Sequence, residues 1–153
     1  MDAKKAILEA SMGRIEIELW PDKAPNHVAN LKKLADSKFY DGLIFHRVIP
    51  NFMIQTGCPH GRGTHGPGWN IDAEFNDAAF DKGVVGMARS QDPNSAGSQF
   101  FICVDDAHWL NGEYTAFGKV VAGQDVADAI SRVARDGSDR PHDEVTITSL
   151  VVE

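Results

Sequence analysis

Apolar and polar positions alternate from the start of the chain. Ala6, Leu8 and Ala10 share one parity, Ser11-Met12-Gly13 supplies a turn, and Ile15, Ile17 and Leu19 then alternate with Arg14, Glu16 and Glu18. Period-two alternation on both sides of a short turn predicts a β-hairpin. Pro21 and Pro25 stop the second strand, and behind Pro25 the residues Val28, Leu31, Leu34 and Ala35 recur at helical spacing. Proline suits the first turn of a helix, where its missing N–H is not needed, so a helix is predicted from about Pro25 to Ser37.

Short apolar runs follow at Leu43 to Ile49 and Met53 to Thr56, separated by Pro50-Asn51, a pair that ends a strand and turns the chain. From Gly57 to Gly68 the chain shifts to Gly, Pro and His with no period, which predicts a long surface loop of the kind that carries function. Further strands are predicted at Val84 to Ala88, Gln99 to Val104, Ala116 to Val121 and Val145 to Val152. Between the last two, Val126, Ala129, Ile130 and Val133 line one face of a second helix, Asp125 to Ala134, with Gly137 placed as its C-terminal cap. Eight short strands and two helices predict a mostly β fold. Closing the antiparallel sheet into an eight-stranded barrel capped by the two helices would remove its exposed edges.

Composition narrows the function. A chain of 153 residues is the size of one domain, and 42% hydrophobic with 24% charged residues is ordinary globular usage. The net charge of −7, with Lys and Arg spread along the chain, argues against a nucleic-acid partner. Met1 to Ala10 mixes acidic and basic residues and lacks a long apolar run, so no signal peptide or membrane span is expected and the cytoplasm is the expected location. Cys58 and Cys103 are expected to be reduced, Cys103 as a small buried hydrophobe.

Three segments carry the chemistry: Phe45-His46-Arg47-Val48-Ile49-Pro50-Asn51-Phe52-Met53-Ile54-Gln55, Gly97-Ser98-Gln99-Phe100-Phe101-Ile102, and Trp109-Leu110-Asn111-Gly112 running on to Phe117-Gly118-Lys119-Val120. Together they resemble the cyclophilin family of peptidyl-prolyl cis/trans isomerases, and the resemblance extends over nearly the whole chain. It implies a cyclophilin-like barrel, proline-containing peptides and unfolded proteins as partners, no cofactor or metal, and a monomer. It also implies a catalytic Arg47 and a substrate surface of Phe52, Met53, Gln55, Ala88, Arg89, Gln99, Phe101, Trp109, Leu110 and Tyr114. Tyr114 stands where many eukaryotic members carry histidine, which implies a bacterial-type member. Trp109 is the residue the family associates with cyclosporin binding. Arg89 stands where asparagine is common.

Strand parity tests part of this surface without the family. Met53 and Gln55 share a face opposite Ile54, and Gln99 and Phe101 share a face opposite Phe100 and Ile102. Arg47 falls with Phe45 and Ile49, so alternation alone does not single it out. Phe52 adjoins Met53 and needs a twist after Pro50-Asn51 to join the same surface. His46 falls on the face opposite Arg47 and is expected to be a satisfied interior histidine.

Rival chemistries are weaker. Cys58, His60 and His65 offer thiolate and imidazole in one loop, but their spacing fits no standard metal site. Gly61 to Gly66 lacks the Lys-Ser or Lys-Thr of a phosphate loop. Asn94 to Ser98 lacks the glycine pattern of a hydrolase nucleophile elbow. A non-catalytic proline-peptide binding module and a chaperone are the remaining alternatives.

Overall fold

The computed structural model describes residues 4–61 and 66–153. The predicted hairpin is present as β1 (Lys5–Ala10) and β2 (Gly13–Leu19), joined at Ser11-Met12 and paired in register from Lys5 opposite Glu18 to Ala10 opposite Gly13. Helix α1 (Pro25–Asp36) follows, with Val28, Leu31, Leu34 and Ala35 buried as their spacing predicts. Ala24, at its N-cap, has no side-chain acceptor to offer. Glu74 supplies one from a distant loop, its carboxylate accepting from the N–H groups of Asn26 and His27 at 3.2 and 2.8 Å.

The other strands are β3 (Arg47–Ile49), β4 (Met53–Thr56), β5 (Val84–Met87), β6 (Phe100–Cys103), β7 (Ala116–Ala122) and β8 (Ile147–Val152). A 3-10 turn, His108–Leu110, was not anticipated. All eight strands form one antiparallel sheet in the order β3-β4-β6-β5-β7-β2-β1-β8.

The sheet is curled and open, which corrects the expected closed barrel: β3 and β8 are its two edges and do not pair as strands. The physical reason lies in residues 43–49, read from the sequence as one strand. Only Arg47–Ile49 joins β4, while the residues before it turn toward the entry to β8. There Phe45 N–H donates to the Val145 carbonyl and Ile147 N–H to the Leu43 carbonyl at 2.9 and 2.7 Å, with an isolated bridge between Ile44 and Thr146. One strand thus splits between two neighbours and leaves the seam spanned by a few bonds.

Helix α2 (Gln124–Ser131) is shorter than predicted and buries Ala127, Ile130 and Ser131, whereas Ala129 faces solvent. Gly137 is not its cap. The Ser131 hydroxyl donates back to the Asp128 carbonyl at 2.6 Å, and the helix stops there.

The two faces of the sheet carry separate apolar clusters. The larger lies inside the curl, where Leu8, Ile17, Leu31, Ile54, Phe100 and Phe117 meet both helices. A smaller one lies on the opposite face around Met53, Phe80, Val84, Phe101 and Leu110. That second cluster floors the candidate site.

Candidate active site

Register assembles the site from four strands. Arg47 on β3 pairs with Gln55 on β4, Gln55 with Phe101 on β6, and Phe101 with Gly86 on β5, so the four form one cross-strand row. A parallel row places Ile49 beside Met53 and Met53 beside Cys103. Alternation within β4 and β6 sends Met53, Phe101 and Cys103 to the smaller cluster and Ile54, Phe100 and Ile102 to the larger, as parity predicts. Arg47 also obeys parity within its own strand, since Val48 is buried and Ile49 packs on the smaller cluster. The misleading residue was Phe45, which precedes the strand and enters the main core.

Gly86 and Phe80 were not identified from the sequence. A Cβ at Gly86 would stand 2.6 Å from Phe101 Cζ and 2.7 Å from Phe80 Cε1, so only glycine leaves room for the two stacked rings beneath the pocket. Glycine inside an apolar strand run was the available signal.

Phe52 joins the surface through the expected twist. Asn51 adopts a left-handed φ of 64°, and the Phe52 N–H closes a turn on the Ile49 carbonyl at 3.2 Å. The Phe52 ring lies 5.4 Å from the Trp109 ring, centroid to centroid. Trp109 and Leu110 ride on the 3-10 turn and diverge: Leu110 is buried, whereas Trp109 is 65% exposed.

Arg47, Phe52, Met53, Gln55, Ala88, Arg89, Phe101, Leu110 and Tyr114 line one cleft with a cavity volume of about 130 Å³. Tyr114 stands edge-on to Phe101, and Arg89 lies over the Tyr114 ring at 4.5 Å. Gln99 lines an adjoining polar pocket instead, and its carboxamide oxygen accepts from Gln55 Nε2 at 3.0 Å on the boundary between the two. Trp109 stands at the rim, outside the lining of either pocket. Ten of the expected residues therefore converge on two adjoining depressions, and the eleventh stands beside them.

Charge is sparse here. Arg47 is exposed and forms no ion pair among the described residues, so its guanidinium is available to an incoming acceptor. His46 is interior, as expected, but not satisfied: neither ring nitrogen has a hydrogen-bond partner of normal geometry among the described residues. Burial, reinforced by the Arg140 and Arg47 charges and opposed only by Gln99, pushes its pKa down to about 4. Cys103 is buried in the apolar cluster, and its pKa is raised to about 12 by desolvation and then by Asp106. It behaves as the small hydrophobe anticipated.

Among the loop's candidate metal ligands, Cys58 is buried and His60 exposed, while His65 lies outside the described residues. One three-residue set with ligating geometry occurs elsewhere, at Asp81, Asp106 and His108. It is exposed, and His108 Nε2 already meets the Asp81 carboxylate at 2.6 Å, a contact that raises the histidine's pKa and explains the grouping without an ion.

A curled eight-stranded antiparallel sheet with two helices packed against it, in this topology, is the cyclophilin fold. A crystal structure of a Cryptosporidium parvum cyclophilin-type peptidyl-prolyl cis-trans isomerase, studied in the presence of the dipeptide Ala-Pro, superposes with a TM-score of 0.94 at 33% identity over 98% of this chain and 99% of that one. The sequence model of the cyclophilin type peptidyl-prolyl cis-trans isomerase family matches residues 5–152. A probable peptidyl-prolyl cis-trans isomerase of Brucella suis is 49% identical over 138 residues, covering 82% of this chain and 70% of the relative. Peptidyl-prolyl cis-trans isomerase B of Bacillus subtilis is 49% identical over 120 residues, covering 77% and 83% respectively. This chain belongs to the cyclophilin-type peptidyl-prolyl cis-trans isomerase family. Among the described residues, no helix is long and apolar enough to cross a membrane.

Proposed function

We propose that this chain accelerates cis/trans rotation about X-Pro bonds in peptides and unfolded proteins by a non-covalent mechanism, with Arg47 stabilising the twisted amide. The observation that carries this reading is the placement of the exposed Arg47 guanidinium, without an ion pair among the described residues, on the same sheet face as an apolar floor of Phe52, Met53, Phe101 and Leu110. Amide resonance opposes rotation with a barrier of about 18–20 kcal/mol. Twisting breaks that resonance, leaving the prolyl nitrogen pyramidal and basic and moving charge off the carbonyl oxygen.

A catalyst therefore has to bind the twisted form better than the planar one. The apolar floor holds the proline ring and excludes water. Arg47 donates to the developing nitrogen lone pair, and Gln55 holds the substrate backbone. Setting an uncatalysed rate of about 0.01–0.1 per second against an ordinary turnover of roughly 10–1,000 per second requires some 3–7 kcal/mol, within reach of binding plus one charged donor. No bond breaks, so the reaction calls for no nucleophile, metal or cofactor.

The same reading has the chain, residues 1–153, acting as one cytoplasmic domain, a monomer, with Trp109 at the rim taking part in cyclosporin binding. An isomerisation assay on a proline peptide tests the mechanism. Arg47→Ala is expected to lose about two orders of magnitude in turnover, the usual cost of removing one preorganised donor. Equal rates for wild type and variant would remove the role given to Arg47, and binding without turnover in the wild type would favour the binding-module alternative.

A further inference from the structure

The polar pocket beside the proline cleft carries its own charge chemistry. Arg89 lines both depressions and is the sole charged residue among the described residues lining the polar one, whose other walls come from residues such as Gln55, Asn70, Ser90, Ser95 and Gln99. No carboxylate lines either pocket among the described residues, in a chain whose net charge is −7.

The guanidinium is fixed in place. Its Nε and Nη2 donate to the Glu113 carbonyl at 3.1 and 2.6 Å, its Nη1 donates to the Ser90 carbonyl at 2.8 Å, and its central carbon lies over the Tyr114 ring at 4.5 Å. All of these partners are neutral, and Arg89 forms no ion pair among the described residues. They orient the cation without cancelling it. A preorganised guanidinium gives up little side-chain entropy on meeting an anion, and with four of its five N–H groups already on carbonyls, Nη1 reaching Gln91 as well at 3.4 Å, it acts on a carboxylate chiefly through its charge.

We infer that Arg89 is a specificity-determining residue, selecting proline segments that carry an acidic side chain close enough to the proline to enter the polar pocket. The inference rests on the reading of the adjoining cleft as the proline site. An exposed side-chain carboxylate meeting a half-buried guanidinium is worth about a two- to fivefold preference. The preference is electrostatic, so salt weakens it.

The test uses proline peptides with Glu, Gln or Lys placed in turn at each position flanking the proline, with affinity read by calorimetry and turnover by the isomerisation assay. In the wild type at low ionic strength, Glu at one position is expected to outbind Gln about two- to fivefold and Lys to bind worst, with the gap shrinking at about 1 M salt, where the screening length is about 3 Å. Arg89→Gln is expected to abolish the gap, and Arg89→Lys to keep its sign.

Equal affinity for Glu and Gln peptides at every position, a gap indifferent to salt, or a gap unchanged in Arg89→Gln would each overturn the inference. Calorimetry separates this from the isomerase reading. Turnover with no charge preference sinks the role of Arg89 alone, whereas a charge-selective affinity with no turnover sinks the isomerase reading and leaves the selectivity standing.

Discussion

Phe101 lies against the backbone of Gly86 on the neighbouring strand, so close that a methyl group at residue 86 would overlap the ring at 2.6 Å. Phe80 approaches the same point at 2.7 Å and stacks on Phe101 at 5.7 Å between centroids. The floor of the proposed proline cleft is thus set by a side chain that is missing. Gly86→Ala is expected to force both rings outward, costing about 1–3 kcal/mol in stability as other overpacked sites do. Turnover should fall as Phe101 moves into the cleft. Urea unfolding checks the first effect and the peptide assay the second; unchanged values in both would mean the rings have free space to yield.

Glu74 does for α1 what Ala24 cannot. Its carboxylate accepts from two N–H groups of the first turn and from His27 Nδ1 at 2.6 Å, and the His27 side chain is fully buried. Glu74→Ala leaves these donors without their acceptor and is expected to destabilise the protein by about 1–3 kcal/mol. Glu74→Gln, which keeps an acceptor oxygen, should lose less. Chemical denaturation of the two variants side by side gives the comparison, and equal stabilities would remove the capping role.

Stability should fall below neutral pH because two histidines are held uncharged. Burial is the main cause for both His27 and His46, and His46 is lowered from 6.5 to about 4. A lowered folded pKa means that the unfolded chain binds the proton first. The native state therefore has its full advantage above pH 6.5 and loses it progressively as pH falls toward 4. For His46 the loss amounts to roughly 3 kcal/mol across that window. His46→Gln is expected to flatten the melting temperature against pH there; a slope as steep as the wild type's would assign the effect to other groups.

Trp109 is 65% exposed and its ring meets that of Phe52, an arrangement suited to covering a large apolar ligand. Cyclosporin is expected to inhibit isomerisation at micromolar concentration, and Trp109→Ala to weaken that inhibition by about tenfold or more, the cost of losing a tryptophan anchor. Inhibition curves settle it. Full activity of the wild type in micromolar drug would end the cyclosporin proposal.

Much of the candidate site's geometry could be read from the sequence. Alternation placed Met53 with Gln55 and Gln99 with Phe101, and it placed the hairpin and the buried face of α1, because which side of a strand or helix a residue faces is a local property of the backbone. Arg47 was obscured by Phe45: the sequence does not mark where residues 43–49 leave one neighbour for another. The twist that delivers Phe52 was foreseeable as a need, and its source, a left-handed Asn51, was visible only in the fold.

What the sequence determined by itself was the local grammar: eight strand-sized segments, two helical ones, and the pairs of side chains that must share a face. The tertiary structure decided what depends on residues far apart in the chain. Register set Arg47, Gln55, Phe101 and Gly86 in one row across four strands. The split of residues 43–49 between β4 and the entry to β8 left the sheet open, and Arg89 came to stand between two pockets over Tyr114. These outcomes are non-local because each is fixed by backbone hydrogen bonds and packing between segments that periodicity cannot connect.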